Sequence, residues 1–169
     1  MRLPSSALSG LCLLALAACG GKKAPEAPRP APSLLVEMRA VGDESFVLSD
    51  NAPVFTDSTT RVIRDTVEWK DVWTQAMSRR AANARLPLPA IDFTKEAVVL
   101  AAAGRMKPGD VVHIDSIGTR KDLTVVVLRY TLGCQDLRMT AYPFEMARIP
   151  KAASEVTWRE HRYKAPECQ

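Results

Sequence analysis

Histidine and cysteine are scarce in this 169-residue chain, which holds two of the first and four of the second. His113 and His161 stand far apart, no Cys-x-x-Cys occurs, and no aspartates cluster at calcium-loop spacing. Those patterns are what zinc and calcium sites are built from, so neither a metal nor a cofactor is expected. A Gly-x-Ser-x-Gly nucleophile turn and a glycine-rich phosphate loop are also missing, which removes the usual signatures of acyl and phosphoryl transfer. No internal repeat is visible. No apolar run approaches the roughly 20 residues that a membrane-spanning helix needs.

A surplus of one charge sign is missing as well, once the chain is divided. The whole sequence has 23 Lys plus Arg against 19 Asp plus Glu. Arg2, Lys22, Lys23, Arg29 and Glu26 precede Leu34, which leaves 19 cations and 18 acids from there onward. A nearly neutral segment without a basic run interleaved with aromatics offers nucleic acid no electrostatic footprint.

What is present begins at the N-terminus. Arg2 precedes a short apolar stretch, Ala7 to Ala18, that ends in Leu16-Ala17-Ala18-Cys19. This resembles a bacterial lipobox, in which small residues ahead of a cysteine admit the signal peptidase and the cysteine carries the lipid. Residues 1–18 then form a lipoprotein signal peptide, with Leu16, Ala17 and Ala18 as its recognition residues and Cys19 as the lipidated one. An ordinary secretory signal and a buried helix are the alternatives, and the helix does not explain why polar, proline-rich sequence follows at once. Residues 19–33 read as a Pro/Ala-rich flexible linker unable to bury a core. Acyl chains in the plural make the anchorage lasting. Gly20, where aspartate commonly retains lipoproteins in the inner membrane, favours the outer membrane.

Residues 34–169 suffice for one globular domain. Cys12 leaves with the signal and Cys19 takes the lipid, so Cys134 and Cys168 remain as an even pair in an oxidising compartment. A disulfide between them would close a loop of about 35 residues and contribute roughly 3 to 4 kcal/mol; two free thiols are the alternative.

Within the domain the patterning predicts an α+β fold, β-rich, with a mainly antiparallel sheet packed against one principal helix. Asp65 followed by Glu68 resembles a capping box, and Trp69, Val72, Trp73, Ala76 and Met77 recur at helical spacing, so the helix should span about 66–80. Its tryptophans suit a core better than a ligand groove. Leu34–Met38 and Ser45–Leu48 suggest an edge hairpin about Gly42-Asp43. Strands are expected at Thr59–Arg64, Ala97–Ala103, Val111–Ile117, Leu123–Tyr130, Leu137–Tyr142, Glu145–Ile149 and Glu155–Arg159. Leu86-Pro87-Leu88-Pro89 should cross the surface in extended form.

The catalytic readings are weak. On a regular strand His113 and Asp115 share a face and Ser116 points to the other, which does not assemble a serine, base and acid. Cys134 with His113 or His161 would need an unpaired, activated thiol. No catalytic residue is assigned.

The order of segments also resembles a known family. Glu68-Trp69-Lys70-Asp71-Val72-Trp73, then Leu88 to Gly104 with Ile91-Asp92-Phe93 and Lys95-Glu96 entering a strand, a Pro-Gly turn, two apolar strands and Tyr142 to Lys151 are similar to the C-terminal domain of the protease complex subunit PrcB. The likeness covers about 60–159. Family members commonly place an aromatic after the turn glycine, where this chain has Gly109-Asp110-Val111. The resemblance implies a non-catalytic accessory domain of an exported protein or lipoprotein, with cysteines near Cys134 and Cys168 and a protein partner in the envelope, a protease among the candidates. An envelope hydrolase and a small-ligand carrier are the rival readings.

Overall fold

Ala97 to Ala103 is apolar at every position, and the computed structural model shows why: this strand is covered on both faces. The structure describes residues 38–42, 45–120, 122–134 and 138–168. Leu16, Ala17, Ala18 and Cys19, with the linker and Leu34 to Glu37, lie outside the described residues. In chain order the elements are β1 (Arg39–Ala40), β2 (Phe46–Asn51), β3 (Ser58–Ile63), α1 (Thr66–Met77), β4 (Glu96–Ala103), β5 (Val111–Arg120), β6 (Leu123–Leu132), β7 (Pro143–Pro150) and β8 (Glu155–Lys164). No described helix is long and apolar enough to cross a membrane.

The strands form two four-stranded sheets, ordered β2-β7-β4-β3 and β1-β5-β6-β8. The first is antiparallel throughout. One of its faces carries α1: Val98, Leu100 and Ala102 of β4 and Phe144 and Met146 of β7 pack with Trp69, Val72, Trp73, Ala76 and Met77. The alternate residues, Ala97, Val99, Ala101, Ala147 and Ile149, meet Val112, Ile114, Ile117, Val126, Leu128 and Tyr130 of the second sheet. Alternation of side chains across a strand thus serves two cores at once. The fold is α+β, mainly antiparallel, with one principal helix.

The helix starts where its cap allows. Asp65 is extended at φ −144° and its carboxylate accepts from the Val67 and Glu68 N–H groups, each at 2.9 Å, satisfying two amides that the first turn leaves unpaired. It ends at Met77, three residues before the sequence expectation of Arg80, where the Ser78 hydroxyl donates to the Gln75 carbonyl at 2.7 Å. All five stripe residues are buried. Trp69 and Trp73 are in the core, and their indole N–H groups donate to the Pro89 and Leu86 carbonyls at 3.0 and 3.3 Å. The extended Leu86–Pro89 segment is thereby fastened across the helix.

The first arm of the expected edge hairpin, apart from Met38, lies outside the described residues; the described strands on either side of Gly42, β1 and β2, each find a distant partner in a different sheet, β5 for one and β7 for the other. Two expectations are corrected. Leu137–Tyr142 is not a strand; Leu137 lies outside the described residues, and only Ala141 pairs, in an isolated bridge with Met106. β8 runs parallel to β6 and continues to Lys164 rather than stopping at Arg159. The connection between these parallel strands is β7, which visits the other sheet, so no helical crossover is needed.

Candidate binding cleft beside the disulfide

Lys107-Pro108-Gly109-Asp110 opens the site. Proline presets φ at the second position and glycine supplies φ +87° at the third, while the Asp110 N–H donates to the Lys107 carbonyl at 3.1 Å. That is a type II turn. The Asp110 carboxylate is buried and accepts from the Lys107 N–H at 3.0 Å and the Gly133 N–H at 2.8 Å, fastening the turn to the end of β6. A Cβ at Gly133 would stand 3.1 Å from the Gly109 carbonyl carbon, so any larger residue there requires the turn to give by a few tenths of an ångström.

Cys134 comes next and forms a disulfide with Cys168, 34 residues on, with Cα atoms 5.2 Å apart. The short helical turn at Pro166–Cys168 is drawn to the same corner, where the Ala165 N–H donates to the Leu132 carbonyl at 2.8 Å. Met106 and Ala141 exchange backbone hydrogen bonds of 2.9 and 3.0 Å, which brings the segment before β7 alongside.

These segments enclose an open cleft of about 830 Å³. Five of its described lining residues are cationic: Arg105 and Lys107 from the β4–β5 connection, Arg138 from the segment before β7, and Arg162 and Lys164 from β8. Met106, Leu132 and the exposed Met139 supply apolar surface between them. Among the described lining residues Asp110 is the one acid, and both of its oxygens are committed to backbone amides. Arg162 lies with its guanidinium 4.5 Å from the Tyr130 ring centre and bonds Glu160 at 3.2 Å, which fixes its direction. Burial, with the Glu160 charge second, raises the Tyr130 hydroxyl above its ordinary pKa, so that group stays protonated. Arg105 and Arg138 make no ion pair among the described residues. A concave, cationic wall of this kind favours an anionic ligand.

No family model matches the chain, and no curated protein and no solved structure matches it either.

The residues weighed for catalysis fall elsewhere. Cys134 is in the disulfide, so no thiolate is available for attack. His113 lies on β5, where its Nδ1 is 3.1 Å from Glu145 Oε2 and its ring 5.1 Å from that of Phe46. Glu145, 3% exposed, also accepts from the Ile114 N–H at 2.7 Å through Oε1. Burial is the leading cause that raises its pKa, partly offset by the Ile114 and His113 hydrogen bonds. The carboxyl group caps an amide at the edge of β5 beyond the end of β1.

Ser116 departs from the expected geometry. The β5–β6 register slips by one residue between Ile114 and Ser116, a β-bulge, so that Ile117 joins Val112 and Ile114 in the core and Ser116 turns outward with His113. Asp115 pairs there with Arg129 at 3.5 Å, and His161 stacks on Tyr163. Among the described residues no three His, Cys, Asp or Glu side chains are grouped to hold a metal.

The cleft cations escaped sequence reasoning because a domain with nearly balanced charge reads as an evenly solvated surface. The available signal was positional: Arg105 and Lys107 flank the Pro-Gly turn, and Arg162 and Lys164 precede the last cysteine.

Proposed function

We propose that this chain is a lipid-anchored lipoprotein of the cell envelope, held by Cys19 in the outer membrane, whose domain serves as a non-catalytic accessory module for a protein partner. The observation that carries the binding role is the cleft: five cations around an apolar floor, on a frame braced by a disulfide and a carboxylate-locked turn. Rigid elements present such a surface at low ordering cost, which suits recognition. The nucleophile candidate is oxidised and the buried carboxylate is spent on a backbone amide, which supports contact over chemistry. The PrcB-like order of segments supports a protease complex as the setting.

Two measurements test this. A photo-crosslinking residue at Met139, in the cleft, should form an adduct with another envelope protein in cells, whereas the same group at Val67, exposed on α1, should not. A lipoprotein that reaches the envelope yet gives no Met139 adduct would defeat the binding role. Cys19→Ala should release the protein from salt-washed membranes with its fold intact; quantitative retention would defeat the anchor.

A further inference from the structure

β8 has an open side. It pairs with β6 over all ten of its residues, and among the described residues no strand pairs with its other edge. The Glu155 N–H donates to the Asp122 carbonyl and the Ala165 N–H to that of Leu132, one at each end of the pairing. In a parallel ladder the backbone groups of a residue point together to one side and those of the next to the other. Odd-numbered residues therefore bond β6, and Val156, Trp158, Glu160, Arg162 and Lys164 direct their N–H and C=O groups to the open edge.

Natural edges are blunted by proline, bulges, short length or charged side chains. β8 has neither proline nor register shift, and its guard is charge, in Glu155, Arg159, Glu160, Arg162 and Lys164, which disfavours a second copy and leaves a strand of matched charge admissible. Its even-numbered side chains change character along the strand: Val156 and Trp158 pack against the inter-sheet core, Glu160 accepts from Arg162 at 3.2 Å, and Arg162 and Lys164 line the cationic cleft. A row of backbone groups that no described strand pairs, from Val156 to Arg162, thus leads from apolar to cationic surface, spanning roughly 20 Å at about 3.3 Å per residue.

We infer that the partner of this domain supplies an extended acidic segment that adds as a strand to the open edge of β8, placing alternate carboxylates in the cleft. The inference rests on the binding role proposed above and names its chemistry. Charge complementarity selects the acid, because Arg105 and Arg138 have no ion pair of their own among the described residues. The edge selects a polypeptide. A lipid headgroup could satisfy the guanidinium groups, but it has no repeating amides to match the β8 backbone. Residues opposite one another in a sheet share a face, so the segment carries acids at alternate positions beside Arg162 and Lys164 and an apolar residue beside Trp158.

The test uses the processed full-length lipoprotein in detergent micelles. The probe is a fluorescent peptide of about ten residues, with valine at alternate positions in one half and aspartate at alternate positions in the other. Binding should saturate and weaken with salt. An asparagine version should bind roughly tenfold or more weakly, as should Arg105→Glu/Arg138→Glu protein, while Arg105→Lys/Arg138→Lys keeps most of the affinity. N-methylation of alternate peptide amides on the side facing β8 leaves protein and charge untouched and should also cost roughly tenfold or more. Undiminished binding of the methylated peptide would overturn strand addition, and undiminished binding of the asparagine peptide would overturn the cleft as the acid's seat. Displacement by short-chain phosphatidylglycerol at matching concentrations would assign the site to lipid and overturn the inference. A Met139 adduct in cells together with failure of the peptide would mean that the partner docks by another geometry, whereas loss of the adduct removes the binding role itself.

Discussion

The two ends of this domain are held together by different means. On the α1 side, thirteen buried residues form one apolar cluster from the helix, the first sheet and Phe55 of the β2–β3 connection, with both tryptophans in it and their indole N–H groups satisfied. At the cleft, buried apolar surface gives way to specific closures: a disulfide, an aspartate bonded to two amides, and an isolated bridge. Hydrophobic burial is non-directional and tolerates any arrangement that excludes water. The closures are directional, each fixing one loop in one place, with the cations placed around the cleft between them. The difference teaches where this molecule keeps its stability and where it can accommodate a binding surface.

Breaking the α1 side should have the largest effect. Trp69→Ala leaves a cavity where a fully buried indole packed and abandons the Pro89 carbonyl; a loss of about 3 to 5 kcal/mol is expected. Chemical denaturation should show the whole domain unfolding less stably, because the two cores share β4 and β7. At the cleft, Cys134→Ser/Cys168→Ser should cost up to about 3 to 4 kcal/mol by the chain-entropy account. Native-state hydrogen exchange should rise mainly at Ala165 and the Pro166–Cys168 turn, with the α1 amides protected as before. Equal loosening of α1 would show that the two ends are one cooperative unit.

How far the sequence foretold these ends follows the same division. α1 was legible because Asp65, Glu68 and the five-residue stripe are local, their spacing set by the helix itself. The β4 and β6 runs were legible as strands because burial on both faces demands continuous apolar sequence. β8 past Arg159 was not, since an exposed edge strand needs no apolar pattern when its neighbour supplies the ladder. The parting of β1 from β2 was hidden for a related reason: Gly42-Asp43 reports a local turn, while Ile117 and Ala147, the partners that decide the pairing, lie far along the chain. The cleft draws cations from three separated segments, so no window contains it. The bulge at Asp115 left no mark a regular alternation could reveal, and it alone moves Ser116 to the His113 face.

The subtlest perturbation falls between the two ends, at Glu145. Its carboxyl is pushed above the ordinary value of 4.5, burial being the main cause. His113 and Arg129 act against that shift, and Asp115 is the acid paired with Arg129. A carboxyl whose folded pKa exceeds its unfolded one adds stability that is complete below the unfolded value, near pH 4.5, and is lost as pH rises through the folded value. Glu145→Gln keeps an acceptor for the Ile114 N–H and an amide NH2 beside His113 Nδ1, without the charge. It should therefore be at least as stable as the parent at neutral pH, with a stability-versus-pH curve lacking that decline. Glu145→Leu, close in volume, removes the acceptor and leaves the Ile114 N–H unpaired, at a cost of about 1 to 3 kcal/mol at any pH. Thermal melts of the three proteins from pH 4 to 8 separate the two contributions. If Gln destabilised as much as Leu at neutral pH, the ionised carboxylate would be the stabilising species, and the joint between the α1 side and the cleft would depend on charge rather than on a satisfied amide.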